Sequence, residues 1–525
     1  MEHKMANILK EICDRRLNDI AKKGYTLGHD VPETRTRPIV PFLPTPGTIL
    51  EVKRASPSKG DIMPDLDSVK TAGNYMNAGT AAISVLTEEN YFKGSLCDLK
   101  AVAEYVNAKG SKTAVLRKDF LLEPEEIEIS YRLGADAVLL IARILETEKL
   151  IEMASKAFSL GLSILLELRD EEAVEKAFKV LHLAKEMNAE DKVVLGVNSR
   201  DLKTFTIDLL IPLKIKCMIE KRFESIPENE RPSKIRVISE SGVLSPEAAY
   251  FTGTLGFDGI LIGEAVAKDS LAACEYVKGF LTGAKAASEN QGTYTKDFWT
   301  KIAGKINKYE KEGKGRPLVK ICGITNEEDA EKAALSGADL LGFICEEKFG
   351  RHADLSKIEN IRKCTVNVCT KAGIERPCFV GVITMPESSE AKKAFELLYQ
   401  GVLDAIQFHG CEGNLQKGFK AFRFSSEEQL SELSKNYIAG NMRLLLDAYI
   451  PGLDGGTGTL IPESLIQKAS EKGKLWMAGG INPENVYNII HKFTPELIDI
   501  SSGVEKSIGR KDHNLIDKLF KEINK

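Results

Sequence analysis

Short runs of apolar, β-branched residues recur along the first half of the chain at 49–53, 81–86, 113–118, 137–142, 163–168, 193–198, 235–240 and 259–264. The stretches between them carry helical spacing, as at 123–132, 147–159 and 171–187. The runs are continuous rather than alternating, which predicts strands covered on both faces, as in a parallel sheet. The second half repeats the count at 318–323, 340–344, 378–383, 405–409, 420–424, 443–448, 475–480 and 497–503. Among its helices, 326–336 opens with an Asn three residues before an acid, and 388–399 is amphipathic. Two sets of eight βα units, each of about 200–250 residues, predict an α/β fold of two (β/α)8 TIM barrels in tandem. Doubly wound open sheets normally use fewer strands per unit.

Residues 1–48 belong to no βα unit. The spacing predicts an extra N-terminal amphipathic helix at 8–23, followed by a Pro-rich stretch from Pro32 to Pro46. Such a helix packs over the bottom of the barrel or lies as a lid across its top. A polar stretch at 288–295 and a Lys-rich, helix-like one at 301–314 separate the two sets. The expected division is therefore a barrel at 1–285, a linker region at 286–316 and a barrel at 317–525. The segment 220–232 reads as an insertion before the seventh strand.

Composition narrows the function. With 72 Lys+Arg against 76 Asp+Glu, the formal net charge of −4 gives no bulk electrostatic basis for binding nucleic acid, and 43% hydrophobic residues are too many for a disordered chain. No run approaches the ~18 apolar residues of a membrane span, and the N-terminus has no signal-peptide core. The ten Cys include no Cys-x-x-Cys pair, so neither a disulfide framework nor a zinc site is expected, and the setting is expected to be reducing and cytoplasmic.

The candidate chemistry lies at the carboxyl ends of the strands, where barrels of this kind carry their active sites. In the first half these ends present Glu51, Lys53, Lys118, Glu167, Asn198 and Glu240. One such residue there would be ordinary rim, but six polar residues at one mouth, five of them charged, imply a built polar pocket, because an unpaired buried charge costs several kcal/mol. Acids and lysines crowded in low dielectric also drive their pKa values apart, as a general acid and base require. Glycine turns follow strands seven and eight at Ser241-Gly242 and Gly263-Glu264, the position where barrels commonly hold a phosphate. The second half has a richer version in Gly479-Gly480 and Ser501-Ser502-Gly503, with Cys322, Arg351, His409 and Asp447 at other strand ends. Cys322, facing an Asp across the mouth, is a candidate base.

These motifs resemble known families. The first 280 residues are similar to indole-3-glycerol phosphate synthase through Glu51-Val52-Lys53-Arg54-Ala55-Ser56-Pro57-Ser58-Lys59-Gly60, Arg117-Lys118-Asp119-Phe120, Leu166-Glu167, Asn198-Ser199-Arg200-Asp201-Leu202 and Ser239-Glu240-Ser241-Gly242. Residues 317–525 resemble phosphoribosylanthranilate isomerase through Lys320-Ile321-Cys322-Gly323, Gln407-Phe408-His409-Gly410, Leu446-Asp447, Gly455-Gly456-Thr457-Gly458, Gly479-Gly480 and Ser501-Ser502-Gly503-Val504-Glu505. Two positions depart from the family patterns. Ser199 replaces the usual second Asn, and Phe349-Gly350-Arg351 keeps the Arg of a Ser-Pro-Arg loop.

The resemblance implies a fused tryptophan-pathway enzyme, synthase first. In the isomerase Asp447 would be the acid, Cys322 the base and Arg351 the holder of the anthranilate carboxylate. His409, Gly479, Gly480, Ser501, Ser502 and Gly503 would complete that site. In the synthase Lys118 and Lys53 would polarise the ketone, and Glu51, Glu167, Asn198 and Glu240 would share the acid–base work. Ser58, Arg200, Ser241, Gly242, Gly263 and Glu264 would hold the substrate and its phosphate. Also implied are small phosphorylated anilino-sugar substrates, no metal or cofactor, no nucleic-acid or membrane partner, and a monomer. Two other readings remain: a barrel of another sugar-phosphate isomerase, or a non-catalytic scaffold keeping one activity.

Overall fold

The computed structural model describes residues 8–200, 206–289, 294–313, 315–448 and 461–525. It divides into two compact units, Met1–Gln291 and Gly292–Lys525. In the first, β1 (Gly47–Val52), β2 (Ala82–Leu86), β3 (Ala114–Lys118), β4 (Ala137–Ile141), β5 (Ser163–Leu168), β6 (Val193–Asn198), β7 (Val237–Glu240) and β8 (Gly259–Ile262) close into a parallel barrel, each strand beside its chain neighbour and β8 returning to β1. The second unit closes the same way with β9 (Leu318–Cys322), β10 (Leu340–Ile344), β11 (Cys378–Ile383), β12 (Ala405–His409), β13 (Gly418–Phe424), β14 (Leu444–Ala448), β15 (Trp476–Ala478) and β16 (Leu497–Ile500). No helix among the described residues is long and apolar enough to cross a membrane.

Strand periodicity explains which residues reach the sites. On β1, Leu50 and Val52 join the apolar layer under the helices, whereas Ile49 packs with Leu116, Leu165 and Ile238 inside the barrel. Side chains two apart share a face. Glu51, Lys118, Glu167 and Glu240 each follow one of these interior residues by two positions, so all four point inward at the carboxyl end.

Several strands end sooner than their hydrophobic runs suggest. Gly263 caps a short helix, Glu264–Lys268, instead of extending β8. Gly479 and Gly480 have φ of 89° and 65°, which takes them out of β15, and Ser502–Val504 form a 3-10 turn after β16. Lys53 likewise lies one residue past β1.

The N-terminal segment serves both ends of the first barrel. Its helix, α1 (Ile8–Lys23), lies at the carboxyl-end mouth, where Arg16 pairs with Asp119 just past β3 and Ile12 packs against the interior cluster. The Pro-rich stretch closes the opposite end: Arg35 and Arg37 bind Asp136 ahead of β4, and Phe42 and Leu43 are buried. The Lys-rich stretch placed in the expected linker is the helix Lys296–Lys311, and it closes the amino end of the second barrel. Phe298 stacks on Phe419, Trp299 lies against Trp476, and Lys305 and Tyr309 reach Asp339.

The charges around Arg16 are fully buried. Asp119 also takes Arg117 at 3.0 Å and the Thr87 hydroxyl. Burial opposes its charge, but Arg16 and Arg117 overcome that and hold its pKa to about 2. Since the folded value lies below the unfolded one, this stabilisation is present at neutral pH and is lost as pH falls from about 4 towards about 2. Removing one partner of such a pair costs about 3–5 kcal/mol. Arg16→Ala is therefore expected to lower the midpoint for thermal loss of the first barrel's activity by roughly 6–10 °C. An unchanged midpoint would mean that α1 is not anchored this way.

Candidate active sites

The mouth of the first barrel is a cavity with an apolar side and a charged centre. Ile8, Leu9 and Ile12 of α1, with Phe92, Phe120 and Leu139, supply the apolar side. At the centre, Lys118 Nζ lies 3.5 Å from Glu240 Oε2 and 3.6 Å from Glu167 Oε2. Desolvation opposes the lysine's charge, but Glu240, Glu167 and Glu51 together outweigh it and raise the proton affinity of Lys118. Burial likewise pushes the Glu240 carboxyl up, only partly offset by Lys118 and reinforced by Glu167 and Glu51. A cluster with more carboxylates than lysines thus holds protons tightly at its core.

The remaining groups surround this centre. Lys53 Nζ sits 3.3 Å from Glu51 Oε1 and over the Phe92 ring at 5.4 Å. Asn198 donates to Glu167 at 3.3 Å and accepts from the Arg200 backbone at 2.9 Å. Two glycines make room for the acids: a Cβ on Gly263 would stand 2.6 Å from Glu51 Oε1, and one on Gly196 would overlap the Glu240 carboxylate.

The corner expected to hold a phosphate lies to one side. Ser241 and Gly242 take φ of 66° and 80°, which turns the backbone sharply into the cavity. Arg200 donates to Ser58 at 3.4 Å, and the Glu264 carboxylate faces Lys59 at 3.6 Å and Lys268 at 2.8 Å. Every residue expected in this site lines the same cavity; Asp201 and Leu202 of the Asn198–Leu202 motif lie outside the described residues.

The second barrel gathers Arg351, His409, Asp447, Gly479, Gly480, Ser501, Ser502 and Gly503 around one cavity, with Asp499, Glu346 and Thr384. His409 Nε2 lies 3.4 Å from Asp447 Oδ2. Burial, then the Asp499 carboxylate, pushes Asp447 up to about 6, against the pull of Arg423 and Lys320. Arg351 presents Nε to both oxygens of Glu505, each at 3.0 Å.

Cys322 is placed differently from the expectation that it faces the mouth. It is buried and does not line the open cavity, while Asp499 next to it does. Burial pushes its thiol up, and Lys320 and Lys511 pull it back only in part. Lys320 is itself paired to Asp499 at 2.6 Å. The Gly455–Gly458 motif lies outside the described residues.

Asp499 stands outside the quoted motifs, although it is a lone charge in an apolar strand. Asp119 and Lys320 lie within those motifs, but the pairing of Asp119 with Arg16, that of Lys320 with Asp499, and the place of Phe92 beside Lys53 depend on contacts far apart in the chain.

Residues 41–275 match the family described as indole-3-glycerol phosphate synthase, and residues 319–522 match that of N-(5'-phosphoribosyl)anthranilate isomerase. An indole-3-glycerol phosphate synthase of Dehalococcoides mccartyi is 40% identical over 218 residues, covering 42% of this chain and 75% of that protein. The chain belongs to both families, in tandem. The synthase barrel comes first and the isomerase barrel second. Other likenesses run along nearly the whole chain. A multifunctional tryptophan biosynthesis protein of Schizosaccharomyces pombe is 29% identical across 99% of this chain, which spans 66% of that relative's length. A tryptophan biosynthesis protein of Phytophthora nicotianae is 26% identical over 99% of this chain and 97% of its own length.

In the isomerase barrel, β10 passes close to Cys322. A Cβ on Gly342 would stand 2.7 Å from Cys322 Sγ and 3.0 Å from Lys320 Nζ. Gly342→Ala is expected to displace the thiol and cut isomerase turnover at least about tenfold, with synthase turnover kept. A steady-state assay of each half-reaction checks this; isomerase turnover at the unaltered rate would take Cys322 out of the chemistry.

Proposed function

We propose that the chain performs two consecutive steps of tryptophan biosynthesis. The isomerase barrel converts N-(5-phosphoribosyl)anthranilate into 1-(2-carboxyphenylamino)-1-deoxyribulose 5-phosphate. The synthase barrel then closes the ring, releases carbon dioxide and water, and yields indole-3-glycerol phosphate. The observation that carries this reading is the pair of strand-end clusters, each joining an acid to a glycine-rich anion corner.

In the isomerisation Asp447 donates a proton to the ring oxygen, so the sugar opens to an iminium. A carboxyl held near 6 is well matched to that transfer at neutral pH. Cys322 then takes the C2 proton, made acidic by the adjacent iminium, and the enolamine returns to the ketone. Its thiol must first give up its own proton, which burial opposes; Lys320 and Lys511 favour the thiolate but offset the burial only in part. Arg351 has its Nε on Glu505 and turns the rest of the guanidinium to the anthranilate carboxylate, a planar match that lysine lacks. His409 steadies Asp447, and the backbone at Gly479, Gly480 and Ser501–Gly503 receives the phosphate.

In the synthase step Lys118 donates to the ketone oxygen as the aromatic carbon attacks. Lys53 adds a second positive charge beside the substrate carboxylate or phosphate. Loss of carbon dioxide restores the aromatic ring, and Glu167 with Glu51 and Glu240 moves the protons that release water. Asn198 orients Glu167. Ser58, Arg200, Ser241, Gly242, Gly263 and the Glu264 backbone hold the phosphate.

Neither step consumes a redox cofactor, since the isomerisation oxidises C2 and reduces C1 within one molecule. The reading includes a cytoplasmic setting and a monomer, each site being assigned within one unit. The test is direct. Supplied with the carboxyphenylamino-deoxyribulose phosphate alone, the protein should release one carbon dioxide per indole-3-glycerol phosphate formed; no release would overturn the synthase reading.

A further inference from the structure

Outside both cavities, a third group of reactive side chains assembles on the synthase unit. The exposed Cys97 Sγ lies 3.3 Å from His29 Nδ1, and His29 Nε2 lies 2.6 Å from Glu89 Oε1. A carboxylate only accepts, so the Glu89 contact places the imidazole proton on Nε2 and leaves the Nδ1 lone pair facing the thiol. That is the order of nucleophile, base and orienting acid found in activated-thiol sites. Cys97 is also the second residue of the helix Leu96–Ala108, and its backbone N–H is already satisfied by Ser95 Oγ at 3.1 Å.

The nearby charges do not disrupt this line. Lys23 stands 3.8 Å from Glu89, Lys100 pairs with Asp30, and Asp98 is engaged by Arg54 at 2.6 and 2.9 Å. None of these groups has a part in either reaction as assigned above.

We propose that Cys97, His29 and Glu89 form a thiol-modification site that exchanges with small disulfides. The Cys97 proton passes to His29 Nδ1 as the sulfur attacks one sulfur of the disulfide. A new Cys97 S–S bond forms, the old S–S bond breaks, and the departing half leaves as a thiolate that takes the proton back from the imidazolium. No net electrons are exchanged with any other group; the cysteine is oxidised and the departing half reduced.

The chain contains its own comparator. Cys274 is the other exposed cysteine, and its sulfur reaches the Leu271 carbonyl in a weak contact at 3.9 Å. The full-length protein is treated with oxidised glutathione at neutral pH, and adducts are followed residue by residue by mass spectrometry. Cys97 is expected to react at least about fivefold faster than Cys274. His29→Gln should bring Cys97 down to the Cys274 rate, and Glu89→Gln should slow it by a smaller factor, with Cys274 unchanged in both variants. A Cys97 rate no higher than that of Cys274, or one unaltered by either substitution, would overturn the proposal.

Discussion

Lys118→Ala should stop indole-3-glycerol phosphate formation, by roughly 10²–10⁴-fold as for loss of a positioned general acid, while N-(5-phosphoribosyl)anthranilate is still consumed. The size of the effect follows from the surroundings. Lys118 stands between Glu167 and Glu240 and holds its proton against desolvation because three carboxylates favour it. Its loss removes the proposed donor to the ketone and leaves Glu240, already pushed towards its neutral form by burial, without the lysine that faces it. Lys53 sits 3.3 Å from Glu51 and over the Phe92 ring in the same cavity, and the proposed division of roles gives it no share in that proton transfer. The open-chain ketone should therefore accumulate, and its quantity checks the prediction. Undiminished formation of indole-3-glycerol phosphate would remove Lys118 from the mechanism.

Asp447→Asn should have the complementary effect. The amide keeps the shape of the carboxyl but cannot deliver a proton, so isomerisation should fall by roughly 10²–10⁴-fold. Synthase turnover on supplied ketone should be unaffected. Asp447 is held at about 6 by burial and Asp499, so at neutral pH an appreciable fraction carries the proton that the substitution removes. Loss of both activities together would point to a folding defect instead; retention of both would place the ring-opening acid elsewhere.

Particular residues show which features of the fold and sites are legible in the amino-acid sequence. The strand count is, because sixteen continuous apolar runs have one economical closure. Glu51, Lys118, Glu167 and Glu240 are also legible, since charge at the end of an apolar strand is conspicuous and period-2 geometry then turns all four inward. The depth of Cys322 is not. A thiol is itself apolar enough for a core, so its position in the run says nothing about whether it reaches the open cavity.

The helix Lys296–Lys311 is conspicuous in the sequence for its lysines, whereas its buried Phe298 and Trp299 carry the packing signal. The dual use of the N-terminal segment is hidden for another reason. Arg16 finds Asp119 across 103 residues, and no local pattern in either segment encodes that pairing.

The central claim is that both barrels work in sequence on one substrate. The most direct measurement supplies the purified protein with N-(5-phosphoribosyl)anthranilate alone and identifies the products. The account predicts indole-3-glycerol phosphate with one equivalent of carbon dioxide. A reaction that stalls at 1-(2-carboxyphenylamino)-1-deoxyribulose 5-phosphate, or one that consumes no substrate, would contradict it.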